Sequence, residues 1–224
     1  MVGAVYLGGG GSPDAEAAVW TSMLQADPRI VYWPFALPVD MLSSADDWLR
    51  SQLTARVGHP VLETWMSLVG HQAAELASFD LLFVGGGNTF RLLQHIREHG
   101  FMQAVKSFVD HGGTYYGGSA GAVLATDTIR IADGHDANDV DLADLGALGL
   151  VHGVDLLPHY TDDQHAATRQ WAARHQAAVL GVPNASGLLV SNGRIRVLGP
   201  HPVHLITPSG THQFVADTDI NLAC

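Results

Sequence analysis

Between Thr114 and Thr126 the chain reads TYYGGSAGAVLAT, and Ser119 stands there among small residues, Gly117, Gly118, Ala120 and Gly121. A serine hydroxyl can act as a nucleophile when a tight strand-to-helix turn exposes it above a sheet. A Gly-x-Ser-x-Gly pattern permits that turn because no bulky neighbour obstructs it. Thr114, Tyr115 and Tyr116 favour a strand and Ala122 to Ala125 suit a buried helix, so the pattern has the required context. The first N–H groups of that helix, and the positive end of its dipole, would face a developing oxyanion. Ser119 is therefore the candidate nucleophile; the alternative is a glycine-rich turn in which it only caps the helix.

The surrounding elements decide what can meet this serine. An apolar run at 2–7 enters Gly8 to Gly11 and then a helix over Asp14 to Gln25. The glycine loop lacks the Lys-Ser/Thr ending of a phosphate-binding P-loop, so it reads as a tight turn near the site. A strand at 29–35, a helix from Leu42 to Arg56 and another over Met66 to Ala77 follow. The strand Asp80 to Val84 ends in Gly85-Gly86-Gly87-Asn88 and opens a helix from Thr89 to Glu98; Phe101 to His111 supplies the helix before the elbow. Right-handed crossovers place the loops at 85–88 and 117–121 on one carboxyl edge of a parallel sheet. Past the elbow, 133–145 is an acidic, turn-rich stretch without the spacing of an EF-hand calcium loop. Val154 to Leu157 is strand-like and is followed directly by His159. Residues 163–180 are helical in pattern, and 187–215 reads as short strands with a hairpin at Ser191-Asn192-Gly193. The repeated β-α order makes a single α/β domain over 1–224, with a mostly parallel sheet flanked by helices and short antiparallel strands near the C-terminus.

Composition narrows the function classes. The formal net charge is -11, with 11 Lys and Arg in 224 residues, which argues against a general nucleic-acid binder. The sole cysteine is Cys224, so there is no intrachain disulfide and no internal cysteine nucleophile. No signal peptide or membrane-length apolar stretch is visible, and the expectation is a cytoplasmic protein with no membrane partner. No HExxH or close carboxylate-His cluster suggests a metal, and no cofactor is expected.

Four stretches, FVGGGNTFRLL, GGSAGAVLATDTIR, LLPHYTDD and LVSNGRIRVLGP, together resemble the peptidase E family, aspartyl dipeptidases of the glutamine-amidotransferase-like α/β class. The resemblance implies a serine hydrolase with chain order Ser, Asp, His that releases N-terminal aspartate from short peptides through an acyl-enzyme. Position by position it makes Ser119 the nucleophile and His159 the general base. It implies an acid shortly after Thr128-Ile129-Arg130. Gapless counting lands on Gly134, so the choice falls on Asp133, with Asp136 as the alternative. The family pattern puts the oxyanion hole on the N–H groups of Gly87 and Ala120 and substrate contacts on Asn88 and Arg169. Asn88 equally fits a helix N-cap, and Arg169 a solvated helix residue. The segment between His159 and Arg169 is shorter than the family's. A short peptide is the implied partner, and a homodimer is compatible with the sequence. Competing readings are a related serine peptidase with another preference, including a cyanophycinase-like one, and a non-catalytic small-molecule-binding protein of the same fold.

Overall fold

The computed structural model describes residues 2–24 and 27–220. Gln25, where the sequence reading ends the first helix, and Cys224 lie outside them. The strands are β1 (Val5–Gly8), β2 (Arg29–Trp33), β3 (Val61–Thr64), β4 (Leu81–Val84), β5 (Thr114–Gly118), β6 (Asp155–Pro158), β7 (Val179–Val182), β8 (Gly187–Ser191), β9 (Arg194–Leu198), β10 (Val203–Thr207), β11 (Gly210–Phe214) and β12 (Asp219–Ile220). The helices are α1 (Ala17–Met23), α2 (Val39–Leu42), α3 (Ala45–Val57), α4 (Thr89–Glu98), α5 (Met102–Asp110), α6 (Ala120–Leu124) and α7 (His165–His175). Among the described residues no helix is long and apolar enough to cross a membrane.

Eight strands form the main sheet in the order β12-β9-β8-β1-β5-β4-β2-β3. From β1 to β3 the pairing is parallel, while β8, β9 and β12 extend it antiparallel. A smaller sheet runs β11-β10-β7-β6. Successive side chains of a strand point to opposite faces, and the parallel strands here bury both. Leu7, Val31, Leu82, Val84 and Tyr115 enter one apolar cluster, whereas Tyr6, Ile30, Tyr32, Leu81, Phe83 and Tyr116 enter the other. Such double burial explains why these strands read as continuous apolar runs.

Two expectations are corrected here. Residues 66–77 form no α-helix; a 3-10 turn covers only Ala73–Ser78, and the preceding segment contributes β3 at the sheet edge. The apolar residues Met66 and Val69 are exposed, Gly70 has φ +85°, and the Trp65 ring stacks on His71 with centroids 3.9 Å apart. A left-handed glycine and a local aromatic stack replace the helix. The helix expected over 163–180 ends at His175, with Gln176 in the left-handed region. Val179–Val182 is instead a fully buried strand between β6 and β10. Tertiary pairing overrides the local Ala-rich pattern there.

The carboxyl ends of β1, β4 and β5 open into the glycine loops, all on one edge. The end of β6 joins them through the His159 N–H, which donates to the Gly9 carbonyl at 2.7 Å. The start of β6 is tied to the segment after the elbow. Buried Asp155 accepts hydrogen bonds from Arg130, the nearer at 2.7 Å, and from Thr128.

Candidate active site

Ser119 links β5 to α6 with φ +50° and ψ -110°, a backbone conformation that a residue with a side chain holds only under constraint. Its side chain does not cap α6. The hydroxyl instead lies 2.8 Å from Nε2 of His159, which also has a positive φ, 55°. Turn and strand end thus bring together two residues 40 positions apart in the chain.

The third contact differs from that reading. His159 Nδ1 lies 2.7 Å from the side-chain oxygen of Asn184, in the loop between β7 and β8. An amide oxygen can only accept here, so Nδ1 carries the proton and Nε2 presents a lone pair to the serine. Asp133 does not meet the ring; it is exposed, beyond the 3-10 turn at Arg130–Ala132, and no side-chain hydrogen bond joins it to His159. Asp136 does not meet it either. Its carboxylate accepts from the N–H and hydroxyl of Thr89, where it also complements the positive end of the α4 dipole. The choice of Asp133 is corrected on this geometry.

The glycine-rich loop after β1 lets these groups converge. At Gly10, with φ +94°, a Cβ would stand 2.2 Å from the His159 ring, so a side chain would displace the imidazole. Glu16 fixes this loop from beneath. Although only 1% exposed, it accepts from the N–H groups of Gly10 and Gly11 at 2.7 and 3.0 Å and from the Tyr116 hydroxyl at 2.8 Å. Burial pushes its pKa up, and these hydrogen bonds partly offset the shift. Neither Glu16 nor Asn184 stands out as a site residue in the sequence. Glu16 carried a faint signal, as an acid just after a glycine loop; Asn184 follows a buried strand in VLGVPNAS.

Gly87 and Ala120 line a cavity of about 110 Å³ together with Ser119 and His159. Among the described residues neither N–H has a hydrogen-bond acceptor, which leaves both free to donate to an oxygen beside Ser119. Gly87 has φ +134°, and a Cβ there would lie 2.0 Å from the Ala36 carbonyl oxygen, so only glycine fits. Asn88 is an N-cap: its side-chain oxygen accepts from Arg91 N–H at 2.9 Å, and its amide nitrogen donates to the Ala137 carbonyl at 2.7 Å. Both ends of the amide are engaged within the chain, and it lines no cavity beside Ser119. Arg169 is exposed on α7 and lines neither of the two cavities that Ser119 borders.

A strained serine, a histidine with a fixed tautomer and two free N–H groups can perform acyl transfer. The comparisons with known proteins point to a peptidase. A family model described as Peptidase family S51 matches residues 5–198. Peptidase E of Citrobacter koseri is 31% identical over 185 residues, 78% of each chain. Peptidase E of Shigella sonnei is 29% identical over 192 residues, 81% of each. Among solved structures, a putative peptidase E protein from Listeria monocytogenes EGD-e superposes with a TM-score of 0.67 at 21% identity, covering 97% of this chain and 100% of its own. A peptidase from an acI-B1 Actinobacterium gives 0.72 at 17% identity, covering 99% and 98%. At those identities the two structures bear on the fold alone.

Proposed function

The chain belongs to peptidase family S51, and from that premise we propose that it is a serine peptidase cleaving short peptides through an acyl-enzyme on Ser119. The observation that carries this reading is the 2.8 Å contact between the Ser119 hydroxyl and His159 Nε2 at a backbone position held in positive φ. In the proposed reaction the Ser119 oxygen attacks the peptide carbonyl carbon and its proton passes to Nε2. The N–H groups of Gly87 and Ala120 donate to the resulting oxyanion; one such donor contributes roughly 3 kcal/mol to the transition state. Nε2 returns the proton to the leaving nitrogen as the C–N bond breaks. Water, deprotonated by the same nitrogen, then cleaves the ester, and the proton goes back to the serine. Asn184 holds the ring in the tautomer that accepts the first proton. As a neutral dipole it offers the transient imidazolium less stabilisation than a carboxylate would.

The finer reading, release of aspartate from Asp-X dipeptides, rests on the family resemblance and on the Thr168-Arg169 pair. The positions of the cations weigh against it. Among the described residues no Arg or Lys lines either cavity at Ser119, so an aspartyl carboxylate would have no guanidinium partner there. The expected result is hydrolysis of Ala-Leu with kcat/KM within about tenfold of Asp-Leu and Glu-Leu, a difference of no more than ~1.4 kcal/mol, and an Arg169→Ala variant with the same ratios. Cleavage of Asp-Leu alone, selectively weakened by Arg169→Ala, would establish the aspartyl preference instead.

A further inference from the structure

Ser119 borders a second cavity, one that Gly87 and Ala120 do not line. It has a volume of about 330 Å³, within the range of small-molecule sites, about 300–1,000 Å³. Its walls come from Trp20, Tyr32, Leu37, Met41, Trp48 and Phe83, and its floor reaches the elbow at Gly118 and Ser119. Among the described residues no Arg, Lys, His, Asp or Glu lines it. Burial pushes the Tyr32 hydroxyl well above the usual phenol range, so that wall stays neutral at any physiological pH. Trp20, Tyr32 and Phe83 are buried, with Phe83 packed edge-on to both others at 5.4 Å. The rim behaves differently: Met41 and Trp48 are 50% and 44% exposed, large apolar side chains left in solvent where the cavity opens.

We propose that this cavity is a specificity pocket for a bulky apolar or aromatic side chain on a residue flanking the scissile bond. The proposal rests on the serine peptidase reading, because Ser119 is what makes the cavity part of a substrate site. An uncharged, aromatic-walled space would leave a charged side chain without a partner and would bury an apolar one. The half-exposed Met41 and Trp48 would be covered by the substrate, so the apolar surface gained includes the rim as well as the walls.

The test compares kcat/KM for two dipeptide sets, Ala-X and X-Ala with X = Ala, Leu, Phe and Asp, in wild type, Met41→Arg and Ser44→Trp. Both variants change exposed positions lining the cavity, so neither depends on repacking the core. Rates are expressed per site labelled by a fluorophosphonate, so that a damaged nucleophile scales all substrates together. In one of the two sets, Phe or Leu should exceed Ala by about tenfold or more. That ratio should fall at least about fivefold in both variants, a change of ~1 kcal/mol, and Met41→Arg should improve the Asp member relative to Phe. Equal rates for Ala, Leu and Phe, or a preference unchanged by both variants, would overturn the pocket while leaving the peptidase reading intact. Hydrolysis of no dipeptide in either set would overturn both.

Discussion

Replacing Ser119 with Ala lowers peptide hydrolysis by about 10⁶-fold in kcat, the loss expected when a nucleophile that works with its base is removed. The fold should survive the change. Ser119 makes no capping bond, and among the described residues its only side-chain partner is His159. The alanine would still sit at φ near +50°, so the strain remains and stability should change little. A second variant, His159→Ala, should lose about as much alone as in combination with Ser119→Ala, because the two groups act as a unit. Thermal unfolding followed beside hydrolysis would separate lost chemistry from lost structure. An alanine variant that still turns over peptides at a tenth of the wild-type rate would mean that the serine contributes geometry only.

Asn184 carries the second large effect. Asn184→Ala should lower kcat by about 10²- to 10⁴-fold, the range seen when the group that fixes a catalytic histidine's tautomer is lost. The imidazole would then be free to place its proton on Nε2, where it faces Ser119 and cannot accept. Asn184→Asp should behave differently. It restores an acceptor at 2.7 Å from Nδ1 and adds a negative charge beside the ring, which favours the imidazolium. Activity should recover relative to the alanine variant, and the acid limb of the kcat/KM profile should move to higher pH, since more alkaline conditions are needed to empty Nε2. Asp133→Ala, by contrast, should stay within about threefold of wild type, an effect of ~0.7 kcal/mol. The reverse outcome, with Asn184→Ala near wild type and Asp133→Ala crippled, would show that the acid reaches the histidine once substrate is bound.

The turn at Ser119 and the position of His159 are legible in the sequence because their signals are local. Ser119 announces itself through five adjacent residues, and His159 through its place directly after a strand. The glycine loop at Gly85 to Gly87 repeats the same strand-to-helix logic. Asn184 is not legible in the sequence, because the residue that orients a catalytic histidine is ordinarily a carboxylate and asparagine does not titrate. Its loop also reaches His159 only after β7 pairs with both β6 and β10. That strand was itself hidden, since the Ala-rich run from 163 into 180 keeps a helical pattern and nothing local marks its end. Glu16 presents the same difficulty in another form. Its role rests on a contact with Tyr116 across 100 residues of chain. The helix expected over 66–77 failed for a reason within reach of the sequence, as Gly70 interrupts it, whereas pairing of Val61–Thr64 with β2 is a property of the sheet.

The most direct test of the account is to react the wild-type protein with a fluorophosphonate and map the adduct by peptide mass spectrometry. A single adduct on Ser119, formed in step with loss of peptidase activity and much slower in His159→Ala, is the expected result. An active enzyme that takes no adduct, or takes it on another residue while Ser119 stays free, would contradict the assignment of Ser119 as the nucleophile.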